Sequence, residues 1–169
     1  MGIRHKAILA VGAAVLAATS GSAAFAGAAD VETDFKKFPV ENIYRGKPKL
    51  PDFAGRDKTY RSLRTRITEG ARSGANFAGK WAIVEIGCGA GCLSAFLVDI
   101  STGRVSTLPT SGEDYASLTL KYRLDSRLLI ARYQSNDACL GETLVWNGTQ
   151  FQRSAPKRLG PADACYAPI

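Results

Sequence analysis

Four cysteines are the residues of this chain whose type and spacing bear most directly on chemistry. They are Cys88, Cys92, Cys139 and Cys165. An even set of thiols can form two disulfides, bind zinc as four thiolates, or include a redox-active pair. The glycines of the segment 87–92 permit the sharp reversal that a five-residue ring needs. We therefore expect Cys88 to pair with Cys92 and Cys139 with Cys165, with a zinc site and a redox-active pair as the alternatives.

Carboxylates are the second group that could perform a reaction. Two Asp or Glu side chains at a suitable separation hydrolyse glycosidic bonds without help from histidine. The candidates near predicted strands or their ends are Glu85, Asp99, Asp125 and Glu142. In this interpretation Glu85 and Asp99 are the catalytic residues, and the substrate is a cell-wall polymer or another glycan.

The first residues have the composition of an export signal. Basic residues at 4–6 precede an apolar run from Ala7 to Ala18, and Ala24-Phe25-Ala26 is a small-x-small cleavage site. The apolar run is shorter than the roughly 20 residues that a membrane-spanning helix needs. We therefore expect a cleaved signal peptide over residues 1–26, no membrane span, and a periplasmic or secreted protein whose thiols meet an oxidising environment.

Removal of the signal peptide would change the chemistry open to the chain. It would leave 143 residues, which suits one domain with a single core. It would also remove His5 and Met1, the only histidine and the only methionine. Without an imidazole, the chain lacks Ser-His-Asp and Cys-His nucleophile systems, a histidine acid or base, and histidine metal ligands. The sequence therefore favours a protein that is not an enzyme, with no cofactor and no metal.

Positive charge is concentrated in one part of the chain. The formal net charge of +7 becomes +5 without Arg4 and Lys6, and residues 45–72 carry nine Lys or Arg against three Asp or Glu. Such a local excess attracts anionic partners. We expect an acidic protein or an anionic envelope polymer, with a merely solvated basic surface as the alternative. Nucleic acid is not expected as a partner of an exported chain, and the oligomeric state stays open.

One segment has the periodicity of an amphipathic helix. Between Lys58 and Arg72 apolar residues recur at spacings of three and four, and Asp57 is the expected N-cap. Three arginines of this segment lie off the apolar stripe and are candidate binding residues. They are Arg61, Arg64 and Arg66.

The chain before and after this helix has different compositions. Residues 27–56 lack a sustained period and are expected to form an extended arm, with Phe35 and Phe38 docking on the body. Residues 57–169 are expected to form a single disulfide-containing β-rich domain. The expected strands span residues 80–86, 93–100, 104–108, 118–123, 127–133, 142–146 and 149–154.

Tight turns join these strands, and Asn147-Gly148 suits the positive φ angles of a two-residue hairpin turn. We therefore predict an α+β fold, in which an antiparallel β-meander of roughly seven short strands carries one N-terminal amphipathic helix on one face.

Three short motifs carry a resemblance to known proteins. They are Asn76-Phe77-Ala78-Gly79, Gly87-Cys88-Gly89-Ala90-Gly91-Cys92 and Asp99-Ile100-Ser101-Thr102-Gly103. The pattern resembles that of small exported bacterial proteins with Asn-Phe-Ala-Gly, Gly-Cys-Gly-x-x-Cys and Asp-x-x-Thr-Gly after a basic helix, and it covers about residues 58–155. The resemblance implies export and the fold, but no reaction. Lys80 and Ile86 depart from it, since histidine and tryptophan are expected there.

These observations favour a non-catalytic exported binding protein that presents a disulfide-constrained loop. One form of this is an inhibitor of a hydrolase, because a constrained loop enters a cleft with little loss of conformational entropy. The loop residues expected to bind are Gly87, Gly89, Ala90 and Gly91. Two alternatives stay open, namely the carboxylate-based glycan hydrolase and an envelope protein that binds an anionic polymer through its Arg-rich helix.

Overall fold

The computed structural model describes residues 1–2 and 34–167. The predicted signal peptide beyond residue 2, and the start of the predicted arm, lie outside the described residues. Among the residues that are described, no helix is both long enough and apolar enough to cross a membrane.

The described chain folds into three layers, which are a helical layer, a three-stranded sheet and a five-stranded sheet. The helical segments are a 3-10 helix Lys58–Leu63, the helix α1 Arg64–Arg72, and a C-terminal 3-10 helix Ala162–Tyr166. The strands are β1 Trp81–Gly89, β2 Cys92–Asp99, β3 Arg104–Thr107, β4 Ala116–Tyr122, β5 Leu128–Ser135, β6 Ala138–Trp146, β7 Phe151–Arg153 and β8 Lys157–Pro161. All strand pairings are antiparallel, so the fold is mostly antiparallel β-structure with few helices.

The three-stranded sheet, in the order β1-β2-β3, is the middle layer. Neighbouring side chains of a strand point to opposite faces. Ile83 and Leu97 lie in the core between the two sheets, whereas Val84 and Val98 pack under the helical layer. Because β1 and β2 are apolar on both faces, this sheet needs cover on both sides.

The predicted single meander is therefore divided between two sheets. The second sheet has the order β4-β5-β6-β7, and β8 also pairs with β6. A nine-residue helix covers only one face of the middle sheet, so the second sheet supplies the other cover. The strand β8 was missed because Lys157-Arg158-Leu159-Gly160-Pro161 lacks alternation of apolar and polar residues.

The predicted continuous helix is also divided. Its first turns, Lys58–Leu63, are 3-10 helix, and α1 follows. Asp57 occupies the predicted N-cap position, but its side chain makes no capping hydrogen bond. Its carboxylate instead accepts hydrogen bonds from the backbone N–H of Val105 at 3.1 Å and of Asp52 at 2.9 Å. The side chain that would have started an α-helix thus connects the arm to β3.

The described part of the predicted arm, residues 34–56, lies against the body. The backbone N–H groups of Val40, Tyr44 and Lys49 donate to carbonyl groups of the body at 2.8 to 3.1 Å. Phe35 is 3 % exposed. These contacts hold the arm over the middle sheet and over the turn before β5.

Candidate functional site

The β1–β2 hairpin ends in a small closed ring. Cys88 is bonded to Cys92, and Cys139 to Cys165, so both predicted disulfides are confirmed. All four sulfur atoms are bonded in disulfides, so the alternative prediction of a zinc site made of four thiolates is wrong. Two disulfides also indicate an oxidising environment for this protein.

The ring is exposed and uncharged. Residues 87–91 are all exposed, and the strand register shifts between Gly87 and Gly89. Gly89 has φ 136° and Gly91 has φ 69°, a region that residues with a side chain rarely adopt. The glycines thus permit the closed conformation, and Ala90 contributes the one methyl group at its tip.

A neighbouring strand supports the ring on one side. The backbone N–H of Ser117 donates to the carbonyl of Gly91 at 2.7 Å. Ser117 itself has φ 54°, unusual for a residue other than glycine, at the irregular start of β4. On the other side a recess of about 280 Å³ separates the ring from Glu113 and Ala116. The tip is therefore anchored at Gly91 while Gly87 to Ala90 project.

The second disulfide has a different setting. Cys139 is fully buried and Cys165 is 3 % exposed. The neighbours of Cys139 in β6 that contribute to the core between the sheets alternate with it, so Cys139 faces outward from the second sheet. The bond fastens the C-terminal 3-10 helix onto this outer face, where the Gln134 amide donates to the Ala162 carbonyl at 2.9 Å.

A cavity of about 530 Å³ lies where the two disulfides approach each other. Gly91 and Cys92 line it from the ring, Cys165 and Tyr166 line it from the C-terminal helix, and Arg132 lines it from β5. Sequence reasoning missed this cavity. Arg132 occupies an ordinary outward position of a strand, and only the packing of the C-terminal helix over that strand makes it part of a concave site.

A second recess, of about 650 Å³, lies between the arm and the two sheets. Both tryptophans of the chain, Trp81 and Trp146, line it, with ring centroids 4.9 Å apart and planes at 72°. Lys80 and Arg127 also line it. The prediction of an extended arm did not include this recess, which the arm residues 39–42 complete.

The predicted basic surface is present on the helical layer. Arg61, Arg64 and Arg66 are exposed, and none forms an ion pair with another described residue. Ile67, fully buried, anchors α1 on the middle sheet. The arginines and the cysteine ring therefore lie on different elements, and the described contacts do not join them into one site.

The predicted catalytic carboxylates are far apart. Glu85 pairs with Ala95, and Asp99 with Trp81, so four residues of the ladder separate the two acids. At a rise of roughly 3.3 Å per residue this is about 13 Å. Glycosidase carboxylates lie roughly 5 to 10 Å apart. The predicted pair therefore has the spacing of neither the retaining nor the inverting mechanism.

Each of these two acids also has a structural partner. The Asp99 carboxylate accepts hydrogen bonds from Lys80 Nζ at 2.8 Å and from the Ser101 hydroxyl at 2.6 Å. Burial alone would raise the pKa of Asp99, but these hydrogen bonds outweigh it and hold the pKa below its ordinary value. The Tyr122 hydroxyl donates to Glu85 at 2.8 Å, and burial together with Glu85 raises the Tyr122 pKa. The Asp99 side chain thus stabilises the turn between β2 and β3 through its hydrogen bonds with Ser101.

Each of the other two candidate acids forms an ion pair with an arginine. The side chain of Glu142 is fully enclosed, receives hydrogen bonds from Arg153 at 2.9 Å, and accepts another from the Thr110 hydroxyl. Asp125 pairs with Arg123 at 2.9 Å on the surface. Within residues 34–167, no group of three or more His, Cys, Asp or Glu side chains could hold a metal ion.

Comparison of this chain with protein-family models, with curated protein sequences and with solved structures finds no match. The resemblance carried by the Asn-Phe-Ala-Gly, Gly-Cys-Gly-x-x-Cys and Asp-x-x-Thr-Gly motifs stays a prediction.

Proposed function

We propose that this chain is an exported, non-catalytic binding protein that presents its cysteine ring, residues 88–92, to a protein partner. In the most specific form of this proposal, the protein inhibits a hydrolase by inserting the ring into the active-site cleft. The observation that carries the proposal is an exposed, covalently closed tip at the end of a hairpin whose strands are buried on both faces.

The conformation of the ring favours binding because few backbone and side-chain torsions of the ring would lose freedom in a complex. Association is opposed by the entropy of fixing loops and long side chains. The disulfide already restricts the backbone of the ring, and Gly89, Ala90 and Gly91 have no rotatable side chains. The tip also carries no charge whose desolvation would oppose entry into a cleft.

The shape of the ring restricts the kind of cleft that accepts it. One methyl group, that of Ala90, stands between two glycines. A partner would recognise such a tip through hydrogen bonds to the main chain and through a narrow fit, because the tip offers no side chain larger than a methyl group. We therefore expect a narrow cleft and not a broad flat surface.

Export to the periplasm or the medium is part of the proposal. It is supported by the composition of residues 1–26 and by the two disulfides. The mass of the protein recovered from periplasm and medium tests this part. We expect a mass that lacks residues 1–26 and four hydrogens, and an intact N-terminus with four free thiols would contradict it.

The function is tested by inhibition of purified secreted hydrolases, covering peptidases and glycan hydrolases, followed by titration of any enzyme that is inhibited. Ala90→Asp places a longer, charged side chain at the exposed tip without touching the core. We expect binding to weaken by roughly 30-fold or more, the size of an interface hot spot. Gln150→Asp, at the exposed β6–β7 turn, is the matched control and should bind normally.

A partner that binds Ala90→Asp as tightly as the original protein would show that the tip is not the contact surface. A protein-binding role would be contradicted if none of the purified hydrolases is inhibited and no saturable complex forms in extracts of the cell envelope and of host fluids.

A second candidate function is binding of an anionic envelope polymer by the helical layer. It is supported by the exposure of Arg61, Arg64 and Arg66 and by the lack of ion pairs between them and other described residues. Such binding is steeply weakened by salt, because exposed charges are screened over about 10 Å at 0.1 M ionic strength.

Lipopolysaccharide and dextran sulfate are suitable probes for this second function. The triple change of those arginines to glutamine should abolish binding, whereas an equal loss of charge elsewhere, at Lys36, Lys157 and Arg158, should weaken it only slightly. Equal losses in the two triple variants would mean that net charge alone governs binding and that the helical layer is not a specific site.

A further inference from the structure

Arg132 is a partly buried cation without a carboxylate partner among residues 34–167. Its Nη2 donates to the carbonyl of Ala167. Its Nε is enclosed and has no hydrogen-bond partner, and no described Asp or Glu lies within ion-pair distance. Burial lowers the pKa of this guanidinium. A buried donor without a partner, and a charge that no other residue of the described range 34–167 compensates, are both unfavourable, and an anion beside the guanidinium would relieve this.

The guanidinium lines the cavity of about 530 Å³ between the two disulfides. Its Nη1 has no partner among the described residues and is not among their enclosed atoms. Arg132 is also the one charged residue among the described residues that line the cavity. A ligand in the cavity thus meets a single positive charge with a nitrogen atom free to donate.

We propose that this cavity binds a small monocarboxylate, and that Arg132 recognises its carboxylate group. A planar guanidinium matches the geometry of a carboxylate through paired hydrogen bonds. A doubly charged phosphate would bring one more negative charge than the lining compensates. The charge balance of the cavity therefore selects a singly charged acid.

The other residues that line the cavity indicate what the ligand carries besides its carboxylate group. Leu93, Leu118 and the sulfur-bearing Cys92 and Cys165 present apolar surface. The hydroxyls of Ser117 and Tyr166, which lie 3.4 Å apart, are polar groups of the same lining. A cavity of this volume suits a small organic molecule. The expected ligand is an acid with a short apolar tail.

The cavity shares Gly91 and Cys92 with the ring that is proposed to enter a partner. The projecting residues of the ring tip, Gly87 to Ala90, do not line the cavity. Loss of ligand binding would leave the tip unchanged, and Ala90→Asp would leave the cavity unchanged. The two proposals can therefore fail separately.

The test is a titration of the oxidised protein followed by the amide signals of the cavity residues, with hexanoate, hexanamide and inorganic phosphate as probes. Hexanamide has the same shape as hexanoate without the charge. We expect saturable shifts with hexanoate at Gly91, Thr119 and Ala167, and binding of hexanamide weaker by roughly tenfold or more. Phosphate should bind more weakly than hexanoate.

Arg132→Gln should weaken hexanoate binding by a similar factor, and Arg132→Lys should restore only part of it because lysine lacks the planar fork. The control Arg104→Gln, at an exposed position of β3, should change nothing. Equal affinity for hexanoate and hexanamide, tighter binding of phosphate, or no saturable shift with any probe would each overturn the proposal. The hexanoate and hexanamide comparison uses the unaltered protein, so it decides the matter even where Arg132→Gln fails to fold.

Discussion

The two ends of the β1–β2 hairpin are held by different kinds of bond. At one end, the disulfide Cys88–Cys92 closes an exposed ring. At the other end, Asp99 is 6 % exposed and fixes the turn into β3 through hydrogen bonds to Lys80 and Ser101. A covalent bond holds the end that projects from the body, and hydrogen bonds to the buried Asp99 carboxylate hold the other, enclosed end.

The enclosed end is also where the arm crosses the sheet. The backbone N–H of Lys49 donates to the carbonyl of Ile100 at 2.8 Å. Gly103 has φ 78°, and a Cβ atom there would lie 2.3 Å from the carbonyl oxygen of Leu50. The arm thus covers one side of this polar network, while the Lys80 side chain remains 44 % exposed.

This difference in exposure is the reason why we propose the ring end, and not the turn end, as the binding surface. A turn held by buried hydrogen bonds needs neighbours to shield it, so it cannot also be free to enter a partner. A disulfide needs no shielding, so the ring keeps its shape while residues 87–91 stay exposed. Ring and turn should therefore respond differently to mutation, reduction and acid.

The largest expected effect is at the enclosed end. Asp99→Ala leaves Lys80 without its partner and removes the acceptor of the Ser101 hydroxyl. We expect the free energy of unfolding to fall by about 3 kcal/mol, the lower end for breaking a buried ion pair, since the Lys80 ammonium can still hydrate. Chemical denaturation at neutral pH measures this change.

Asp99→Asn is the matched control, because the amide oxygen can still accept the hydrogen bonds of Ser101. It should lose less stability than Asp99→Ala. A loss below about 0.5 kcal/mol in Asp99→Ala, the level of an ordinary surface substitution, would refute the structural role given to this side chain.

A smaller effect is expected from opening the ring. Replacing Cys88 and Cys92 together by serine should lower the free energy of unfolding by about 2 kcal/mol, since a short loop restricts the unfolded chain little. The strand pairing of β1 with β2 should persist, so amide signals should shift mainly in residues 86–94 and near Ser117. Binding of the proposed partner should fall more than stability does.

Reduction provides the control for the ring variant. The exposed Cys88–Cys92 bond should react with a thiol reductant before the buried Cys139–Cys165 bond, because attack requires access to a sulfur atom. Simultaneous loss of both bonds in the native protein would contradict the difference in exposure.

Lowering the pH is expected to cause the smallest loss of folding stability. It also distinguishes the two ends of the hairpin most clearly. Burial raises the pKa of Asp57, but hydrogen bonds from Arg56, Val105 and Asp52 outweigh it and lower that pKa. The pKa of Asp99 is lowered in the same way, by hydrogen bonds from Lys80 and Ser101. A folded-state pKa below the ordinary 3.8 means that this stability is complete above the unfolded-state pKa and is lost as pH falls through the folded-state pKa.

The denaturation midpoint measured from about pH 6 to about pH 2 tests this sign. Asp57→Asn should flatten the acid loss. The Cys88 and Cys92 double variant should keep the same pH slope as the original protein, because the ring contains no titrating group. A ring variant with a flatter slope would contradict the separation of the two ends.

Local patterns in the sequence were enough for much of the fold. The spacing of Gly87 to Cys92 predicted the ring, and alternating or apolar runs predicted seven of the eight described strands to within a few residues. Both disulfide pairings followed from the glycines and from the position of the last hairpin. These features depend on residues close together along the chain or on backbone geometry.

The sequence by itself determined which segments bend, extend or close, because turn residues, side-chain periodicity and ring size act over a few residues. The tertiary structure alone decided the stacking of two sheets, the distance of Glu85 from Asp99, the use of Asp57 by β3 and the place of Arg132 beside both disulfides. These outcomes depend on which buried faces need cover and which charges find partners across the chain, and no short window of sequence contains that information.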